Sequence, residues 1–135
     1  MKSILPGNAE LMCGKFSLED FLVAGGYGDG MVQIYNVNTG CQINEINTNF
    51  NNEKTPVNAL RWRPSAGDYG SASSILLVAN TNGHLLQYAA KTGKKLYEGV
   101  EEDNYIMALD YSLDGKQFAT GGKDNIVRLY DEEKK

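Results

Sequence analysis

A lone histidine, His84, and two cysteines, Cys13 and Cys41, are the residues with the most obvious chemical use. A zinc centre needs four ligands, and one histidine with two cysteines outside any C-x-x-C pair does not supply the usual set. His84 follows Asn82-Gly83 at the start of a β-rich run. No serine or cysteine is tied to it by a nucleophile motif, so it is expected to be an exposed turn residue. The run Gly25-Gly26-Tyr27-Gly28-Asp29-Gly30 has the glycine content of a nucleotide loop. It leads through Met31 into a strand rather than a helix, so the dinucleotide fingerprint fails. The Gly-Lys pairs at 14–15, 93–94, 115–116 and 122–123 lack the earlier glycine and the following Ser or Thr of a phosphate-binding loop. The expectation is a chain with no catalytic residue, no cofactor and no metal.

Composition narrows the partners. Thirteen Lys and Arg against seventeen Asp and Glu leave a net charge of −4, without the positive field a phosphate backbone requires. Nucleic acid is therefore not expected. No apolar run approaches the ~20 residues that span a bilayer, and residues 1–6 are too short for a signal-peptide core. Two unpaired cysteines agree with a reducing compartment. The reading is cytoplasmic, with cytoskeleton, cilium or nucleus as alternatives, and excludes a membrane partner.

The elements that would position any functional side chain come from an internal repeat. Phe16 to Tyr35 and Tyr111 to Tyr130 align without a gap, and Ile75 to Tyr88, preceded by Val57 to Pro64, forms a middle copy. The tyrosine marker falls at 35, 88 and 130, and the longer first interval holds an inserted loop, Ala66 to Ser74, with Tyr69. Short β-rich runs are separated by Gly, Asn and Asp clusters, and no capped stretch of helical period appears. Asp29-Gly30, Asn82-Gly83 and Asp124-Asn125 stand at equivalent places between two strands. Such pairs tolerate the positive φ of tight hairpin turns, and a turn carboxylate accepting N–H bonds is the expected role of Asp29 and Asp124.

Each copy yields four strands, a to d. These are about Glu10–Phe16, Phe21–Gly25, Met31–Asn36 and Cys41–Ile46 in the first copy. In the second they are about Val57–Arg63, Ser74–Ala79, His84–Ala89 and Lys95–Gly99. The third has Tyr105–Tyr111, Gln117–Gly121 and Ile126–Asp131, and no strand d. Cys13 and Cys41 then lie three strand spacings apart, about 14 Å at ~4.8 Å each, too far for a disulfide.

These residues resemble the WD-repeat family of β-propellers from about residue 9 to 131. The closest match is Tyr111-Ser112-Leu113-Asp114-Gly115 with Phe118 to Asp131. Where the family often ends strand c in Trp-Asp, this chain has Tyr35-Asn36, Tyr88-Ala89 and Tyr130-Asp131. The family's Gly-His before strand a is absent, with Glu53 and Glu102 near its place, so the usual buried Asp-His-Ser/Thr-Trp network is not expected. The acidic run Glu98 to Asp103 is read as a solvated loop.

The resemblance implies an all-β, partial propeller of about three four-stranded antiparallel blades, at 9–46, 56–99 and 104–131, with the outer strand missing from the third. It also implies a non-catalytic scaffold that assembles a multiprotein complex. One alternative is a structural part of a cytoskeletal or ciliary assembly. Another is an enzyme with a central-channel site, for which Glu10, Asn58 and Asp110 are the polar candidates. In the family layout the b–c and d–a loops share one face, giving Tyr27, Phe50, Lys54, Asn58, Asn80, Glu102, Tyr105 and Lys123 as candidate contacts for a protein or peptide. Trp62 is expected to pack between blades. Closed propellers have four to eight blades, so three leave open faces. Either two chains form a homodimer of six blades, with Ser3-Ile4-Leu5 adding the missing strand, or blades outside this chain complete the ring.

Overall fold

The computed structural model describes residues 8–18, 21–64 and 74–135. Segment Ser3-Ile4-Leu5 and the inserted loop apart from Ser74 lie outside the described residues. Eleven strands account for the regular structure among the described residues. The first blade is β1 (Leu11–Phe16), β2 (Leu22–Tyr27), β3 (Met31–Asn36) and β4 (Gln42–Asn47). The second is β5 (Val57–Trp62), β6 (Ile75–Asn80), β7 (His84–Ala89) and β8 (Lys94–Val100). The third is β9 (Ile106–Tyr111), β10 (Gln117–Gly122) and β11 (Val127–Asp131). Each sheet is antiparallel with neighbouring strands in chain order, four, four and three strands wide. The expected strands are found within one or two residues at each end, and among the described residues the third sheet has three strands. Among the described residues no helix is long and apolar enough to cross a membrane.

Register makes the three sheets equivalent. The tyrosine marker pairs across the b–c hairpin in each: Tyr35 with Val23, Tyr88 with Leu76, and Tyr130 with Phe118. A bulge interrupts each a–b pair at the corresponding place, beside Leu11, Val57 and Gly122. An extra residue there increases the local twist of the inner strand. Alternation then puts apolar side chains on both faces of a blade, as a sheet sandwiched between neighbours requires.

Two cores result. Leu22, Ala24, Val32, Ile34 and Ile46 of blade 1 meet Val57, Leu60, Trp62, Leu76, Val78, Leu86 and Tyr88 of blade 2. On the opposite face of blade 2, Ala59, Leu77, Ala79 and Leu85 meet Ile106, Leu109, Tyr111 and Phe118 of blade 3. Phe118 stacks on Tyr130 and meets Tyr111 edge-on. Polar groups fasten the blades as well. Trp62 Nε1 donates to the Lys15 carbonyl at 3.0 Å, and Asn44 Nδ2 to that of Ala90 at 3.3 Å. Asn58 Nδ2 reaches the Ile106 carbonyl at 2.7 Å.

Both cysteines are free thiols; Cys13 is half-buried on β1 and Cys41 is exposed just before β4. Burial lifts the Tyr88 hydroxyl to about 12, and lifts those of Tyr111 and Tyr130 as well, with Glu132 and Glu101 respectively adding to the effect. An unfolded tyrosine titrates near 10, so the folded state holds these groups neutral at a pH where the unfolded chain ionises them. Their contribution is whole below pH about 10 and is lost as pH rises toward and through 12. Urea midpoints at pH 9 and pH 11 should therefore differ, the higher pH giving the lower midpoint.

Candidate protein-binding face

The loops joining b to c and d to a are stitched together at one end of the sheets. In the β2–β3 turn Asp29 Oδ1 accepts the Met31 N–H at 3.1 Å, and in the β10–β11 turn Asp124 Oδ1 accepts that of Ile126 at 3.1 Å. Gly30, Gly83 and Asn125 hold φ of 85°, 80° and 66°. Blade 2 makes its turn differently: Asn80 Oδ1 receives both Asn82 and His84 N–H groups, freeing Asn82 Nδ2 to donate to Thr55 Oγ1 at 3.2 Å.

The d–a loops fasten to these turns. After β4, Thr48 Oγ1 donates to the Gly30 carbonyl at 2.6 Å and Asn49 Nδ2 to that of Asp29 at 2.8 Å. Asn51 and Asn52, with φ of 53° and 60°, turn the chain so that Phe50 and Glu53 bridge. Phe50 does not stand free: its ring stacks on His84 at 4.3 Å, with Lys95 Nζ 5.3 Å from its centroid. His84 is correspondingly half-buried rather than an exposed turn residue, and its Nδ1 is buried without a hydrogen-bond partner. The asparagine-rich loop offered no periodicity from which this stacking could be read.

After β8 the acidic run departs most from expectation. Its Glu101 is buried, its side chain only 1% exposed. Oε1 accepts Thr120 Oγ1 at 2.5 Å and the Tyr130 hydroxyl at 2.8 Å, and Oε2 accepts Asn104 Nδ2 at 2.6 Å. Arg128, which pairs with Asp124 at 2.6 Å, stands 3.5 Å from the same carboxylate. Glu101, not Glu102, therefore fills the interior place before strand a, and the run is not uniformly solvated. Three donors and a guanidinium compensate the buried charge. A matching polar knot surrounds Glu132, whose Oε1 accepts Gln87 Nε2 at 2.6 Å and the Tyr111 hydroxyl at 3.0 Å. It lies under a shallow depression lined by Arg63, Lys116, Asp131, Glu132 and Glu133.

The candidate contacts divide accordingly. Tyr27 and Asn80 are buried, and Asn58 is spent on the Ile106 carbonyl. Lys54, Glu102, Tyr105 and Lys123 are exposed on the joined loops, and the Lys123 N–H donates to the Tyr105 carbonyl at 3.1 Å. Of the channel candidates, Asp110 is exposed beside Arg61 at 3.9 Å, and Glu10 is exposed. Among the described residues no three of His, Cys, Asp and Glu come together as a metal site.

Residues 93–131, which run from the start of β8 through β11, match the family model described as WD domain, G-beta repeat. The match is to a single WD repeat and covers less than a third of the chain. The matched WD repeat is out of phase with the sheets, taking the outer strand of blade 2 and the three strands of blade 3. Eukaryotic translation initiation factor 3 subunit I of Bombyx mori is 28% identical over 98 residues, covering 67% of this chain and 30% of that protein. Anaphase-promoting complex subunit cdh1 of Dictyostelium discoideum is 29% identical over 103 residues, 76% of this chain and 12% of that one. The human translation initiation factor 3 subunit I is 32% identical over 63 residues, 47% and 19% respectively. The matched segments thus span less than a third of these relatives.

Proposed function

We propose that this chain is a non-catalytic protein-interaction module that contributes WD blades to a multiprotein complex. The observation that carries this reading is the loop face, where internal hydrogen bonds fix the backbone and leave a rim of Lys54, Glu102, Tyr105 and Lys123 projecting outward. A pre-fixed rim loses little conformational entropy on binding, and an exposed tyrosine beside opposite charges is a common interface anchor. The similar proteins, a subunit of translation initiation factor 3 and a subunit of the anaphase-promoting complex, favour the same reading. The partner is a protein or peptide whose contact pairs with both a cation and an anion.

The test is chemical cross-linking of the tagged chain in its native extract, followed by rim variants. Cross-links from Lys54 and Lys123 to one partner are expected, together with at least tenfold weaker capture by Tyr105→Ala and Lys123→Glu with unchanged circular dichroism. Full retention of that partner by both variants would overturn the rim as the binding face.

A further inference from the structure

The chain has one histidine, and the tip of the β4–β5 loop is seated on it. That tip is the turn Phe50-Asn51-Asn52-Glu53, in which Asn51 and Asn52 both hold left-handed φ and the Glu53 N–H donates to the Phe50 carbonyl at 3.0 Å. Asparagine tolerates this region better than most residues, but two in succession need support from outside the turn. The base of the loop has its own fastening, since Thr48 and Asn49 donate to the turn carbonyls of Gly30 and Asp29, and Asn49 Oδ1 accepts the Thr55 N–H at 2.9 Å. Asn51, Asn52 and Glu53 are exposed, so the tip is held through Phe50. Its ring packs against the core between blades 1 and 2 and lies nearly parallel to that of His84, at 24°.

This contact suits a neutral imidazole. His84 Nδ1 is buried with no hydrogen-bond partner among the described residues. A neutral ring can leave that nitrogen bare, because only one of its two nitrogens carries a proton. In an imidazolium both are donors, and a buried N–H without an acceptor is costly. The surroundings supply no acceptor for it. Across the β7–β8 pair His84 stands opposite Val100. Of the charged groups on the elements around it, Lys95 is already a cation 5.3 Å from the Phe50 centroid, and Glu98 is paired with Lys95 at 2.6 Å. Glu101 is committed to Thr120, Tyr130 and Asn104, and Glu53 and Lys54 are exposed on the loop itself. The attraction of an imidazolium for the Phe50 face is, at a half-buried site, the weaker of the opposing effects.

We propose that His84 is an acid-sensitive latch for the β4–β5 loop: protonation of its ring releases Phe50 and frees the turn from Phe50 to Glu53. Histidine is the side chain that ordinarily changes charge between pH 5 and pH 8, so the latch is closed at the upper end of that range and opens toward the lower. The loop base stays fastened, and the opening is confined to the tip and to Lys54, the next residue. This rests on the loop geometry and not on the rim reading.

Proton NMR of the full 135-residue chain between pH 8 and pH 5 tests it, because a single histidine gives a single set of imidazole C–H resonances. The Overhauser contact between the His84 and Phe50 rings should weaken at least tenfold as His84 titrates. The Asn51, Asn52 and Glu53 amide shifts should move with the same midpoint. The Trp62 indole N–H, bonded to the Lys15 carbonyl, reports on the blades and should not move. His84→Phe keeps the stack without a titrating nitrogen, so its tip should stay closed at both ends of the range. Should that variant fail to fold, His84→Gln, which has no ring, should leave the tip open at both. A stack that survives protonation, a ring still neutral at pH 5, a tip that opens only in acid in either variant, or a Trp62 signal lost in step with the tip would each overturn the proposal. Loss of rim binding leaves these readings unchanged.

Discussion

Glu101→Ala is expected to lower the unfolding free energy by about 4 kcal/mol, from the typical costs of buried donors left without acceptors. The carboxylate serves Thr120 Oγ1, the Tyr130 hydroxyl and Asn104 Nδ2, and alanine strands all three inside the protein. Arg128 is not stranded, since it keeps Asp124 at 2.6 Å. Glu101→Gln should lose about half as much, because its oxygen still accepts while its amide nitrogen meets donors. In urea the alanine variant should unfold about 2 M earlier for a slope of about 2 kcal/mol/M. Glu102→Ala, one residue on and exposed, should stay within about 0.5 kcal/mol. A second readout separates this carboxylate from a packing loss. The Tyr130 hydroxyl, raised by burial and then by Glu101, should titrate at lower pH in Glu101→Ala. Equal urea midpoints for the Glu101 and Glu102 variants would contradict the assignment.

Gly83→Ala is the other change with a large expected effect, about 3 kcal/mol from backbone strain and overpacking together. A Cβ at Gly83 would lie 2.3 Å from the Glu101 carbonyl oxygen and 2.9 Å from that of Asn104, and φ is +80°. Backbone oxygens cannot swing aside as a flexible side chain does. The Glu101 N–H also donates to the Gly83 carbonyl at 2.8 Å, so displacing one loop displaces the other. Gly121→Ala is the control, since nothing lies within 4 Å of its Cβ. It should be neutral or slightly stabilising, because alanine suits an extended strand better than glycine. Thermal unfolding of the two variants side by side gives the comparison.

The repeat was legible because it rests on local chemistry. Asp29-Gly30 and Asp124-Asn125 announce hairpins, the tyrosines at 35, 88 and 130 keep the register, and alternation assigns the faces. Glu101 was not legible, because burial of a charge depends on partners far along the chain. Thr120 and Tyr130 are 19 and 29 residues away, and nothing within Glu98 to Asp103 distinguishes the one glutamate that turns inward. The available signal was indirect: a hydroxyl on strand b and another on strand c of the same blade need an acceptor between them. His84 and Phe50 were missed for a related reason, since a stacking pair formed by a loop and a strand leaves no trace in either segment's periodicity. Among the rim candidates, spacing gave the loop but not the direction of the side chain. Tyr27 and Asn80 point inward while Lys54 and Lys123 project.

The phase difference between the matched repeat and the sheets has a mechanical consequence. β8 is hydrogen-bonded to β7 in blade 2, yet the residue that follows it, Glu101, is anchored among Thr120 and Tyr130 of blade 3. Peeling the outer strand from one blade therefore pulls the keystone of the next, so that fraying does not stop at a sheet boundary. Amide hydrogens of β8, although at the rim of a sheet, should exchange together with those of β10, and the two blades should open as a single unit.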